Sequence, residues 1–327
     1  MSSTPSFEIS EIFKISNAAQ FESLALKTFE FQYNHNAVYR NYCQLIGRDI
    51  KEVSSIENIP FLPIQFFKTQ KVKSFSGEAS LLFESSGTTG MERSKHYVFD
   101  PTIYELSFMA GFELKYGSIE DYIIVGLLPS YLENKHSSLI YMVDHLIQKS
   151  NHPMSGYYLN NKQQIQGLVD DYKTERKILI IGVSYALLDL ADTAVDLNGI
   201  TVMETGGMKG RRKEMTKAEL HSRLRTAFNV SQIHSEYGMT ELLSQAYSSS
   251  DQTFECPPWM KILLRDRTDP FHLKEGKAGA INVIDLANIF SCSFIETEDL
   301  GRFNSKGFEV LGRLDQADIR GCNLLVQ

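Results

Sequence analysis

The sequence is poor in cysteine. Cys43, Cys256, Cys292 and Cys322 are its four, and no two stand close enough for a CxxC metal or redox motif. A chain of 327 residues can bury a core without disulfide or zinc staples, so free thiols and a cytoplasmic setting are expected. No run of about 18 apolar residues occurs, which leaves no candidate membrane span. The opening MSSTPSFEISEIF has neither a basic n-region nor an apolar h-region, so no secretory leader is expected. Proline at 9 and glycine at 21 exclude collagen-like and Pro-rich proteins. Positive charge is in deficit, with 33 Lys+Arg against 40 Asp+Glu and a net charge of −7. Duplex nucleic acid, which needs a basic face, is therefore not an expected partner, although a local basic pocket for a nucleotide is compatible with this balance. Two familiar nucleotide signatures are also missing, the GxxxxGK[ST] phosphate loop and the GxGxxG dinucleotide turn.

What remains is an ordinary globular composition, 43% hydrophobic and 22% charged. Residues 17–47 have no proline and no internal glycine, and read as one or two helices stopped by Gly47. Pro60 and Pro63 then force an extended path, expected to lie as an apolar loop on the core. From residue 80 the pattern alternates. Strands are predicted at 80–84, 121–129, 177–184 and 200–207. Helices are predicted at 101–117, 137–150 and 216–228, the last with Thr216 and Glu219 placed for a capping box. This alternation predicts an α/β domain with a mostly parallel sheet, in which ligands bind where strands end in loops. The stretches AGAINVIDL and SCSFIETEDLGRF predict a small strand-rich C-terminal part. The expected organisation is an N-terminal segment, 1–79, packed on a core of 80–327.

Four segments carry chemistry. Glu84-Ser-Ser-Gly-Thr-Thr-Gly90 follows a strand. Gly87 and Gly90 let backbone N–H groups turn toward an anion, and Ser85, Ser86, Thr88 and Thr89 add hydroxyl donors. A plain polar turn has the same composition. Ser235-Glu-Tyr-Gly-Met-Thr-Glu241 offers the Tyr237 ring for a base, the Thr240 hydroxyl, and Glu241 as a hard oxygen ligand for Mg²⁺. It also reads as a strand-to-helix turn capped by a threonine. Asp299 in Thr297-Glu-Asp-Leu-Gly301 can accept two hydrogen bonds from a ribose diol, or merely close an Asx-turn. Gly312-Arg-Leu-Asp315 comes last. The basic run Lys209-Gly-Arg-Arg-Lys213 reads equally as a solvated charge cluster.

In this order and spacing the four segments resemble the adenylate-forming superfamily of acyl-CoA synthetases, luciferases and peptide-synthetase adenylation domains, from about residue 80 onward. A narrower resemblance, to LuxE-type acyl-protein synthetases, rests on Ile59–Lys68, Leu128–Glu133 with His136–Ser138, Glu204–Arg212 and Arg320–Cys322. The resemblance implies ATP and Mg²⁺. Ser85, Ser86, Gly87, Thr88, Thr89 and Gly90 would hold the β- and γ-phosphates. Glu204, Gly206 and Gly207 would line the adenine side, Tyr237 would stack on the base, and Gly238 would belong to the same cofactor-binding set. Thr240 would reach the α-phosphate and Glu241 would hold the metal. Asp299 would bind the ribose, with Arg313 at the hinge or on the nucleotide. Cys322 would receive the acyl group.

The superfamily's usual chain continues into a mobile domain with a catalytic lysine. This one stops at Gln327, so that role is expected to be either dispensable or filled by another cation, with Lys68, Lys95 and Lys209 as candidates. The spacing after Gly312 is one residue longer than usual, so no role is carried to Asp315 or Asp318. The expected reaction is ATP-dependent activation of a fatty carboxylic acid, with transfer to Cys322, an acyl-accepting protein, a carrier protein or coenzyme A. Two alternatives are a cysteine acyltransferase using His136 or His234 without adenylation, and an adenylate-binding protein that does not turn over.

Overall fold

The computed structural model describes residues 4–86, 92–129, 134–206, 215–250, 252–274 and 278–314. The chain forms two compact units. One comprises Met1–Phe108, Gly238–Ser244 and Glu255–Gln327, and the other Met109–Tyr237 and Gln245–Phe254.

The second unit is built on a six-stranded sheet. Its order is Gly156–Tyr157, Tyr122–Leu127, Lys177–Val183, Thr201–Thr205, His234–Tyr237 and Ala246–Ser248. The first five strands are parallel and the last is antiparallel. Tyr122–Leu127 is buried at every position, and Lys177–Val183 at every position after its lysine. Burial on both faces is what turns a parallel strand into a continuous apolar run rather than an alternating one. The helix Lys217–Phe228 begins at the predicted capping box. Glu219 N donates to Thr216 Oγ1 at 3.2 Å, and Thr216 N donates to Glu219 Oε2 at 2.7 Å. It ends at Asn229, whose φ of 56° is left-handed.

The first unit holds the strand-rich part. Leu62–Pro63, Phe294–Phe303, Ala278–Asp285 and Met260–Arg265 lie in that order, and Phe308–Arg313 also pairs with Phe294–Phe303. All pairings are antiparallel except that of Leu62–Pro63, which runs parallel to Ile295–Glu296. Pro63 is tolerated because it sits on the sheet edge. The loop expected over 59–72 therefore contributes an edge strand. Beyond Pro63 it turns into a short helix, Phe66–Thr69, closed by Gln70 N donating to the Phe66 carbonyl at 2.8 Å.

The N-terminal helical stretch is two helices, Ala18–His35 and Ala37–Leu45. They are divided at Asn36, whose side chain accepts from Tyr39 N at 3.0 Å. Gln32 and Asn36 are wholly buried and tie these helices to the 288–293 loop. Gln32 Nε2 donates to the carbonyls of Asn288 at 3.0 Å and Ile289 at 2.8 Å, and Asn36 Nδ2 donates to that of Ser291 at 3.0 Å. No helix among the described residues is long and apolar enough to cross a membrane.

Candidate active site

In the first unit, Leu81–Glu84 and Lys95–Val98 form an antiparallel hairpin, and the Ser/Thr/Gly motif belongs to its connection. Ser85 and Ser94 close the hairpin mouth. Ser85 N donates to the Ser94 carbonyl at 3.0 Å, and Ser94 N donates to Ser85 Oγ at 2.9 Å. Gly87, Thr88, Thr89 and Gly90 lie outside the described residues.

Ser94 also hydrogen-bonds Glu241. The Glu241 side chain is buried, and burial raises its pKa above the ordinary carboxylate value. The Ser94 bond and the charges of Arg313 and Lys68 pull the other way. Ser85, Glu241, Arg313 and Lys68, four residues singled out from sequence, are thus joined in one environment. Ser94 was not among them. Its only sequence signal is its place opposite Ser85 across the hairpin.

Thr240 and Glu241 sit in a turn rather than at a helix start, so threonine capping does not explain the motif. Two wholly buried side chains hold the turn from behind. His96 Nδ1 donates to the Thr240 carbonyl at 2.7 Å, and Asn288 Nδ2 donates to the Glu241 carbonyl at 2.7 Å. His96 Nε2 lies 2.9 Å from Asn288 Oδ1. Burial lowers the His96 pKa to about 4, against both of these contacts. Downstream, Asp285 Oδ2 accepts from Leu243 N at 2.7 Å and Ser244 N at 2.9 Å.

Asp299 is in a strand, not in a turn. It pairs with Arg313, and its Oδ1 lies 3.9 Å from Arg313 Nε, where the register shifts between Leu300 and Gly301. Gly301 is required there, since a β-carbon would meet the Glu309 carbonyl oxygen at 2.9 Å. Thr297 serves the fold: its Oγ1 donates to the Ile281 carbonyl at 2.8 Å and accepts from Asp299 N at 3.1 Å. The carboxylate of Asp299 faces Arg313, whose side chain is 66% exposed.

In the second unit, Glu204 is buried near the carboxyl end of its strand. Its Oε1 lies 2.8 Å from Lys217 Nζ, 2.9 Å from Ser235 Oγ and 3.6 Å from His221 Nε2. Burial would raise the Glu204 pKa, but Lys217 and His221 overcome it and hold the carboxyl at about 2. Ser184 Oγ donates to the Gly206 carbonyl at 2.6 Å, fixing a turn in which Gly206 has φ 68°. Tyr237 is buried with its ring tilted against Phe254, centroids 5.8 Å apart, and Lys217 Nζ sits 4.5 Å over the Phe254 ring. Gly238 opens the segment that returns to the first unit. Gly207 and Lys209 lie outside the described residues.

Glu236, on the opposite sheet face from Glu204, is pushed up to about 7, above its ordinary 4.5, by burial and then by Glu204. The bond donated by Thr205 Oγ1 at 2.5 Å opposes this. An unfolded chain releases this proton near pH 4.5 and the folded chain near pH 7, so stability falls as pH climbs through that window. Glu236→Gln should therefore stabilise the protein at about pH 8 by up to about 3 kcal/mol and change little at about pH 4. Urea unfolding at the two pH values checks this. An equal effect at both would mean that folding does not raise the Glu236 pKa.

The described thiols are poor nucleophiles. Burial pushes Cys43 and Cys256 up to about 12 and raises Cys292 as well. His234 is held by the Tyr116 hydroxyl, 3.1 Å from its Nδ1, and burial lowers its pKa to about 4. Cys322 lies outside the described residues.

Residues 3–97 match the family model of LuxE, acyl-protein synthetase. The chain is 22% identical to the long-chain-fatty-acid–luciferin-component ligase of Aliivibrio fischeri, over 93% of this chain and 86% of that one. It is 20% identical to the protein of the same name from Vibrio harveyi, over 90% and 84%. Among solved structures it resembles 2-hydroxyisobutyryl-CoA ligase in an open conformation with 2-HIB-AMP and CoA. The TM-score is 0.67 at 11% identity, covering 91% of this chain and 70% of that one. The fold is thus that of the adenylate-forming ligases, and both resemblances read from the motifs, to the superfamily and to LuxE-type synthetases, are borne out.

Proposed function

We propose that this chain is an ATP-dependent, cytoplasmic acyl-protein synthetase that activates a fatty carboxylic acid as its adenylate and passes the acyl group to a thiol. The observation that carries this reading is the joining of Ser85, Ser94, Glu241 and Arg313 in one environment, within the fold of adenylate-forming ligases.

In the first half-reaction a substrate carboxylate oxygen bonds to the α-phosphorus of ATP and pyrophosphate leaves. In the second, a thiolate attacks the acyl carbon and AMP leaves with that oxygen. Two anions must meet first. At about 4 Å their repulsion is about 1 kcal/mol in water and about 4 kcal/mol at an effective dielectric near 20. The chain supplies alignment and positive charge. In the first unit the Ser85–Gly90 motif would take the terminal phosphates, Thr240 the α-phosphate and Asp299 the ribose; in the second, Tyr237 and the Glu204–Gly207 motif are the candidates for the base. Lys68 and Arg313, whose charges act on Glu241, are candidates for neutralising the reacting phosphate, and Lys209 is a further one.

Among the described residues no three His, Cys, Asp or Glu gather into a metal cage. A single buried carboxylate, Glu241, fits Mg²⁺, which is commonly held by one or two carboxylates together with substrate phosphates. When bound, the ion neutralises phosphate charge. The acyl acceptor is Cys322, a partner or carrier protein, or coenzyme A. A cysteine acyltransferase without adenylation is disfavoured for the three described thiols by their raised pKa values.

Hydroxylamine trapping over a panel of carboxylic acids with Mg-ATP tests the reading. ATP-dependent hydroxamate from long-chain acids is expected, and hydroxamate formed equally without ATP would overturn it. Within this reading Asp299→Ala should abolish most of the wild type's discrimination between ATP and 2′,3′-dideoxy-ATP, because a site built for hydroxyls is left unpaired without them. Equal discrimination by the variant would leave Asp299 only its strand role opposite Arg313.

A further inference from the structure

We infer that His96 and Asn288 form a clamp that positions the Thr240–Glu241 turn for phosphoryl chemistry. This rests on the function proposed above. The two side chains take hold of consecutive peptide carbonyls, His96 that of Thr240 and Asn288 that of Glu241, each at 2.7 Å. A peptide plane is rigid, so fixing two successive carbonyls fixes the direction in which the Thr240 hydroxyl and the Glu241 carboxylate leave the chain.

The clamp is itself anchored on three sides. His96 lies in the hairpin strand Lys95–Val98, two residues after Ser94, and Phe67 packs edge-on against its ring at 6.0 Å. Asn288 Nδ2 also donates to the Cys292 carbonyl at 2.9 Å, and Gln32 on the first long helix grips the Asn288 carbonyl at 3.0 Å. His96, Asn288 and Gln32 are wholly buried. Buried polar groups whose bonds converge on one turn rigidify what they hold, and the one N–H of the neutral His96 ring is the proton given to the Thr240 carbonyl. The N-terminal segment, far in sequence from the Thr-Glu motif, thus reaches it through two relays: Phe66–Thr69 through His96, and Ala18–His35 through Asn288.

A pair of variants separates positioning from mere core packing. The amide of Asn stands where the Nδ1 edge of an imidazole stands, and that of Gln where the Nε2 edge stands. His96→Asn therefore keeps a donor for Thr240, whereas His96→Gln keeps only the contact with Asn288. With Mg-ATP and hexadecanoic acid, His96→Gln should lower kcat of pyrophosphate exchange at least about tenfold, with KM for ATP within about threefold. His96→Asn should rescue kcat to within about threefold of wild type. Hydrogen exchange of residues 238–244 should accelerate in the Gln variant and stay near wild type in the Asn variant. Should His96→Gln not fold, Asn288→Ser removes the Glu241 bond, leaves the Gln32 contacts to the backbone, and should give the same local acceleration and kcat loss. Equal kcat losses in both His96 variants, tracking Tm, would overturn the clamp. So would unchanged exchange of 238–244 in the Gln variant. If the wild type exchanges pyrophosphate with no carboxylic acid, the proposed function fails, and the clamp stands or falls on the hydrogen exchange alone.

Discussion

Glu241→Gln is expected to lower carboxylate-dependent ATP–pyrophosphate exchange about a hundredfold, a barrier increase of about 2.7 kcal/mol. Gln has the shape of Glu and keeps an oxygen for Ser94, so the turn held by His96 and Asn288 should survive. What it loses is the negative charge. Lys68 and Arg313 then face a neutral amide, and the phosphates lose the hard oxygen that shares their cation. Removing one preorganised electrostatic partner of a reacting group typically costs on the order of 10²–10³ in rate. Stability should move the other way. Burial already disfavours the Glu241 carboxylate, so the neutral amide should hold Tm at or above wild type at about pH 8. Stopped-assay pyrophosphate exchange and thermal unfolding on the same preparation decide between the roles. Lost activity with retained Tm supports a catalytic Glu241, and parallel loss of both would make it a folding residue.

Cys322→Ser is expected to leave pyrophosphate exchange within about twofold of wild type and to abolish hydroxylamine-labile labelling of the chain by radioactive fatty acid and ATP. The two half-reactions use different groups, so a serine hydroxyl, far less ionised than a thiol, stops only the second. The other three thiols are no substitute, because burial raises them all. A Cys322→Ser chain that still labels would shift the acceptor to another group. A wild type that exchanges pyrophosphate but never labels would make the acceptor an external thiol, a carrier protein or coenzyme A.

The parallel strands were legible because burial on both faces leaves a run such as ILIIGV without a polar interruption. The same property hid the helix Ser184–Ala191. It follows that strand directly, has no side-chain cap, and its SYALLDLA continues the apolar run with no glycine or proline between them. The capping box at Thr216 was legible because it is a local device of four residues. The Ser/Thr/Gly, Thr-Glu and Asp motifs were visible for a similar reason: each keeps its pattern within a short stretch. Asp299 shows the limit of that reading. Its neighbour Thr297 bonds a residue of another strand, so the spacing reflects sheet pairing as much as ligand chemistry. His96, Asn288 and Ser94 were invisible. Each acts on a residue far away in sequence, His96 on Thr240 above all, and a lone buried His or Asn has no pattern of its own.

The central claim is that a substrate oxygen bonds to the α-phosphorus of ATP, and isotope transfer tests it most directly. Hexadecanoic acid labelled with ¹⁸O in its carboxylate is turned over with Mg-ATP and hydroxylamine, and the products are weighed by mass spectrometry. The account predicts one ¹⁸O atom in AMP and none in pyrophosphate, because the oxygen that attacks phosphorus stays with it when the acyl carbon is taken. Label in inorganic phosphate with ADP as co-product would mean an acyl phosphate, and would contradict the account.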